Sequence, residues 1–154
     1  MLARIDILTR AKVTLEDITH RLSEVVRRSG VEEGVCYLFV PHTTAGIIIN
    51  ENDDPAVGRD ILDRLEALVP SRGNYHHLEG NAPAHIKASL VGSSQTVPIE
   101  KGRLALGRWQ GVFQCELDGP RDRSVLVQVI PAARPGQSIE REAGPSRAPS
   151  KSQP

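Results

Sequence analysis

From Thr96 to Ile130 the chain offers four short strand-forming stretches joined by tight-turn sequences, and this run of hairpins limits the fold more than any other feature. Thr96–Glu100 and Arg103–Leu106 are separated only by Lys101-Gly102, and Gln110–Leu117 and Ser124–Ile130 by a turn around Asp118-Gly119-Pro120. Connections that short join antiparallel neighbours, because a parallel pair needs a crossover of a dozen or more residues. Upstream, Leu2–Thr9 alternates Ala3, Ile5 and Ile7 against Arg4 and Asp6, the period of a half-buried strand. Val35–Val40 and Gly46–Asn50 read as further strands around the polar corner Pro41-His42-Thr43-Thr44-Ala45.

Three helices interrupt them. The first is expected to open with Thr14 as N-cap and Asp17 three residues on; Leu15, Ile18, Leu22, Val25 and Val26 recur at helical spacing, and Gly30 is the stop. The second starts at Asp54-Pro55, where aspartate accepts from free backbone N–H groups and proline loses nothing, and it ends at Pro70. A shorter third helix runs from near Asn81 and Pro83 to Gly92. The pattern predicts an α+β domain, β-rich, with mixed or antiparallel sheet curled into a sandwich or half-barrel and about three helices.

Residues 1–130 form this domain; residues 131–154 hold five of the eleven prolines and a single large aliphatic residue, Ile139, so a disordered Pro/Ser-rich tail is expected. Setting aside the tail's four basic and two acidic residues leaves 15 basic and 17 acidic in the domain, from 19 of each in the chain. A domain at net −2 has no basic excess with which to hold nucleic acid. Its longest apolar runs, Val35–Pro41 and Gly46–Ile49, fall far short of the roughly 20 residues that cross a bilayer, so no membrane partner is expected. The N-terminus lacks the pattern of a secretory signal, which predicts a cytoplasmic address. Cys36 and Cys115 lie in apolar strand-like runs and form no C-x-x-C pair, as buried reduced thiols do.

Four of the five histidines fall in two places: His42 on the corner, and His76, His77 and His85 between the second and third helices. Three imidazoles with an open fourth position make a catalytic zinc site; solvated or hydrogen-bonded structural histidines are the alternative. Thr43 and Thr44 offer hydroxyls for a phosphate or carboxylate, or simply cap strand ends. Asn50-Glu51-Asn52-Asp53-Asp54 crowds carboxylates before a helix: Asp54 has a capping job, while Glu51 is open as a general base. Arg121 and Arg123 flank a tight turn and match phosphate bidentately, although local ion pairs with Glu116 and Asp118 are equally cheap. Trp109 is either a half-buried core ring or a stacking surface for substrate.

Taken in order, His42-Thr43-Thr44-Ala45, Asn50-Glu51-Asn52-Asp53-Asp54-Pro55, Asp60, Tyr75-His76-His77, Asn81-Ala82-Pro83-Ala84-His85, Gly92, Leu106-Gly107-Arg108-Trp109-Gln110 and Asp118-Gly119-Pro120-Arg121-Asp122-Arg123 closely resemble the YjbQ-type family, also called the secondary thiamine-phosphate synthase enzyme family. The resemblance spans nearly all of residues 1–130. It implies a β-rich α+β homotrimer with sites at or near subunit boundaries. It also implies a weak thiamine-phosphate synthase activity, joining hydroxymethylpyrimidine diphosphate to thiazole phosphate with release of pyrophosphate. By position it implies His42, His77 and His85 around a divalent metal, zinc or magnesium, and Glu51, Asp54 and His85 as catalytic groups. Thr43, Thr44, Asn50, Asn81, Trp109, Arg121 and Arg123 would then hold a small phosphorylated metabolite. Arg108 departs from the small polar residue usual before the Trp-Gln pair.

That chemistry contains a tension. Magnesium, the usual ion of diphosphates, prefers oxygen ligands, whereas three histidines suit zinc. Metal-assisted hydrolysis of a small ester or amide, with Glu51 as base, is therefore an alternative, as is a non-catalytic metal- or anion-binding trimeric module.

Overall fold

A computed structural model describes residues 1–133, so the expected tail lies, from residue 134 on, outside the described residues. Strand β1 (Leu2–Leu8) follows its alternation, burying Ile5 and Ile7 and exposing Leu2 and Leu8. Next come β2 (Thr14–Asp17), α1 (Thr19–Ser29), β3 (Gly34–Phe39), β4 (Ala45–Glu51), α2 (Pro55–Leu68) and α3 (Ala82–Val91). The chain then runs through β5 (Ser94–Glu100), β6 (Arg103–Leu104), β7 (Gln110–Glu116) and β8 (Asp122–Pro131). Pro131 thus closes a strand, and Ala132 N–H donates to Glu33 at 2.8 Å, so order extends just past the expected boundary at 130.

Five strands form one sheet in the order β1-β8-β3-β5-β6 and three form another, β2-β7-β4. Every pairing among them is antiparallel, as the short turns require. With three helices and one sheet curled as a half-barrel, the fold is α+β. Ile5, Leu38, Val97 and Val127 from the larger sheet meet Ile47 and Val112 from the smaller one in a single core, and Leu22 and Val26 of α1 enter it without solvent exposure. On the outer face of the smaller sheet, Ala84 and Ala88 of α3 pack on Cys115 and Leu117. No helix among the described residues is long and apolar enough to cross a membrane.

The first helix departs from its expected start. Thr14–Asp17 is a strand paired with β7, from Thr14 opposite Glu116 to Asp17 opposite Phe113. The helix opens at Thr19, whose N–H and hydroxyl both donate to Asp17 Oδ1, at 2.8 and 2.5 Å. Over so few residues, Leu15 and Ile18 fit either period, and the free edge of β7 decides the matter by offering backbone partners. Downstream, β6 keeps only Arg103–Leu104 of the expected strand.

Helix α2 behaves as its first residues direct: Asp54 accepts from Ala56 N–H at 2.8 Å with Pro55 at the first helical position. Yet none of its residues is buried. What ties it down includes Lys87, 3% exposed on α3, whose ammonium pairs with Glu66. That hydrogen bond, helped by donations from Ser71, holds the Glu66 carboxyl down to about 2. Both cysteines are buried free thiols, and burial pushes them up to about 11 for Cys36 and about 12 for Cys115.

Replacing Leu22 by Ala removes a side chain with no solvent exposure from the shared core. It should cost about 2–5 kcal/mol, read as a lower urea midpoint. A midpoint equal to that of the unaltered chain would show that α1 is not part of the cooperative core.

Candidate functional site

The corner after β3 is built from an interrupted ladder. Strand β3 pairs with β8 up to Phe39 opposite Leu126, so Ser124 lies just beyond the last pair. Its N–H has lost a strand acceptor, and the His42 ring supplies one: Ser124 N–H donates to His42 Nε2 at 2.9 Å. Beyond the corner, Gly46 lets the end of α3 approach β4, since a Cβ there would lie 2.6 Å from Val91 Cγ1 and 2.7 Å from the Gly92 carbonyl oxygen. Ile47 N–H donates to that same carbonyl at 3.1 Å. The corner and the α3 terminus therefore face each other across a cleft of about 660 Å³, which includes His42, Thr43, His85, Ala88, Ser89 and Ser93 in its walls.

Behind the cleft lies a buried ion pair. Arg123 donates from Nε to Glu116 Oε2 at 2.7 Å and from Nη2 to Oε1 at 2.6 Å, with side chains 5% and 0% exposed. Nη2 also donates to Thr44 Oγ1 at 2.8 Å. The carboxylate further accepts from Thr9 Oγ1 at 2.8 Å and from the N–H groups of Leu117 and Asp118, each at 2.9 Å. Burial by itself raises the Glu116 pKa, but the Arg123 fork and the Asp118 and Thr9 donations outweigh it and hold the group below its ordinary value. The His42 pKa is depressed as well, by burial first and then by the charge of Arg123.

The residues named from sequence divide into two places. At one end stand His42, Thr43, Thr44 and His85, with the exposed His77 ring tilted 46° to that of His85 and its centroid 5.2 Å away. Near them Asn81 Nδ2 donates to Asp118 Oδ2 at 2.9 Å, and Arg121 Nη2 donates to the same oxygen at 2.8 Å. At the other end, Glu51 and Asp54 share a separate cavity of about 300 Å³ with Arg59 and Phe113. Glu51 pairs with Gln110 while Ala45 pairs with Glu116, so the two ends are six strand steps apart. At the usual rise that is roughly 20 Å. Asn50 and the half-exposed Trp109, with the Arg108 guanidinium 4.8 Å over its ring, belong to this second end. Among the described residues no three His, Cys, Asp or Glu side chains converge as a metal would require.

A larger groove of about 740 Å³ runs between α1 and the β5–β6 hairpin. Charges of both signs, among them Glu24, Arg27, Glu32 and Lys101, line it, and none of the candidate catalytic, metal or substrate residues does. The histidine cleft is the candidate site.

The comparisons agree with the motif order. The family model described as UPF0047 protein YjbQ-like matches residues 3–132. This chain belongs to the YjbQ (UPF0047) family. The UPF0047 protein MJ1081 of Methanocaldococcus jannaschii is 49% identical over 130 residues, covering 84% of this chain and 94% of that protein. The UPF0047 protein YugU of Bacillus subtilis is 43% identical over 131 residues, covering 84% and 99%. Among solved structures, an uncharacterized conserved protein of the YjbQ/UPF0047 family from Clostridium acetobutylicum is similar with a TM-score of 0.82 and 52% identity, covering 83% of this chain and 99% of that one. A YbjQ-like protein of unknown function from Sulfolobus solfataricus gives 0.83 at 32% identity, covering 86% and 97%.

In this YjbQ-family chain, sequence reasoning missed Ser124 and Lys87. Ser124 carries no local signal, because its part depends on where a distant strand stops. Lys87 could have been found: it shares a helix face with Ala84 and Val91, where a charge demands a partner.

Glu116→Gln leaves the Arg123 guanidinium buried without its countercharge and should destabilise by about 3–5 kcal/mol. Replacing both residues by methionine should recover most of that loss, and a double variant as unstable as the single one would refute a pairwise role. Because the folded Glu116 pKa is depressed, its contribution is full above the ordinary carboxylate pKa and fades as pH falls through the lower folded value. Acid denaturation of the unaltered chain should accordingly be steeper than that of the double-methionine variant.

Proposed function

We propose that this chain is a homotrimeric cytoplasmic enzyme that acts on a small phosphorylated metabolite in the His42–His85 cleft, with weak thiamine-phosphate synthesis as its activity. The observation that carries the reading is the cleft itself. About 660 Å³ is within the range that encloses a phosphorylated heterocycle, and its walls present imidazole N–H and hydroxyl donors. In the proposed reaction the thiazole ring nitrogen forms a bond to the pyrimidine methylene carbon. The carbon–oxygen bond to the diphosphate breaks, and its electron pair leaves on pyrophosphate. His85 and Thr43, both in the cleft wall, would donate to that leaving group, where charge builds up.

Two unlike apolar surfaces support a trimer. Helix α2 packs Leu62 on the Ala84–Cys115 cluster but leaves Val57, Ile61 and Leu65 only half-buried and Leu68 72% exposed. The outer face of the larger sheet exposes Tyr37, Phe39 and Ile130. A closed ring needs two different complementary patches per subunit, which these can supply. Phe39 also lines the histidine cleft, so a neighbour on that face would bring its own groups to the rim. Two unpaired buried thiols suit a reducing compartment.

Purified chain given both thiamine precursors should form thiamine phosphate above a His85→Ala control; equal yields at high enzyme concentration would overturn the synthase reading. Sedimentation equilibrium should return three times the 16.8 kDa chain mass, and a monomer mass would remove the trimer.

A further inference from the structure

We infer that His42 serves the cleft as a hydrogen-bond donor, offering Nδ1–H to an anionic oxygen of the phosphate class, and that it is not a metal ligand. The inference rests on the reading that this cleft is the working site, and deepens it. Its starting point is the contact between Ser124 and the ring. A backbone N–H can only donate, so the ring atom 2.9 Å away must carry a lone pair. Turning the ring over would put carbon there and leave the N–H without its acceptor. Nε2 is therefore unprotonated and already occupied.

A neutral imidazole holds one proton, which then resides on Nδ1. Neither nitrogen is left for a metal: Nε2 has given its lone pair to Ser124, and Nδ1 has none to give while it bears the proton. Binding a cation at Nδ1 would move the proton to Nε2 and set it against the Ser124 N–H. The three-histidine site thus does not fit this ring. His77 and His85, 5.2 Å apart between centroids, leave only two imidazoles. Nδ1 makes no hydrogen bond among the described residues, so its proton is free for a ligand, beside the exposed Thr43 on the cleft wall. A magnesium ion brought in on the oxygens of a diphosphate is compatible with such a wall, whereas zinc held by three rings is not.

The rigidity of the arrangement supports the role. Ser124 directly follows Arg123, whose guanidinium is fixed by Glu116 and Thr44, and Thr44 lies two residues beyond His42. The ring and its backbone partner are thus anchored from both sides by one buried pair, which holds the donor without reorganisation when a ligand arrives.

The test is nitrogen NMR of the histidine rings in the full chain, uniformly labelled with ¹⁵N, at mildly alkaline pH. The His42 ring is assigned by coupling across its hydrogen bond to the Ser124 amide, which needs no variant. The expected result is the Nδ1–H tautomer with a bare Nε2, an Nδ1–H signal that shifts on titration with inorganic phosphate, and no His42 shift with equimolar zinc. An Nε2–H tautomer, a zinc-induced shift of His42, or phosphate that leaves Nδ1–H unmoved would each overturn the inference. Failure to form thiamine phosphate would leave these results standing, so the two readings fail separately.

Discussion

The forked pairing of Arg123 with Glu116 links the two sheets side chain to side chain, alongside the backbone ladders that hold β1 to β8 and β4 to β7. Glu116 ends β7 in the smaller sheet, Arg123 lies in β8 of the larger one, and Thr9 and Thr44 follow β1 and precede β4. Two charges taken out of water cost several kcal/mol each and return that only if every lone pair and proton is matched. Here the carboxylate accepts from arginine, a hydroxyl and two backbone N–H groups, while Thr44 takes a further guanidinium proton. Such a cluster is worth little as net stability over a well-packed apolar one, but it tolerates one geometry only. That geometry places Ser124 and the corner with His42 where they meet.

Much of this could be read from the chain and some could not. The hairpins after Thr96 dictated antiparallel sheets, and Asp54-Pro55 and Gly30 marked helix ends that the structure contains. Thr14–Asp17 failed because the choice between strand and helix lay with the open edge of β7, far along the chain. The corner histidine was legible as a candidate because it combined a strand end with hydroxyls, and the structure sets it in the wall of a cleft. Its tautomer was not, since it depends on where β3 stops relative to β8. Arg121 and Arg123 had two readings of equal weight, and the distances to Asp118 and Glu116 show both in ion pairs.

Within a single chain the motif string divides between two ends of β4, with histidines at one and Glu51, Asp54 and Trp109 at the other. Roles for both groups in one reaction would have to come from different subunits, as the proposed trimer would allow. On the proposed reading, neutral N–H and hydroxyl groups would carry phosphate binding, in keeping with the domain's low net charge.

The central claim is that the buried pair positions the Ser124–His42 contact. Amide hydrogen exchange at Ser124 measures it directly, comparing the unaltered chain with one in which Glu116 and Arg123 are both methionine. If the account holds, the Ser124 amide loses protection by about tenfold or more in the variant while Val127, deeper in β8, keeps its own. Equal Ser124 protection in the two proteins would show that the corner stands without the ion pair and would contradict the account.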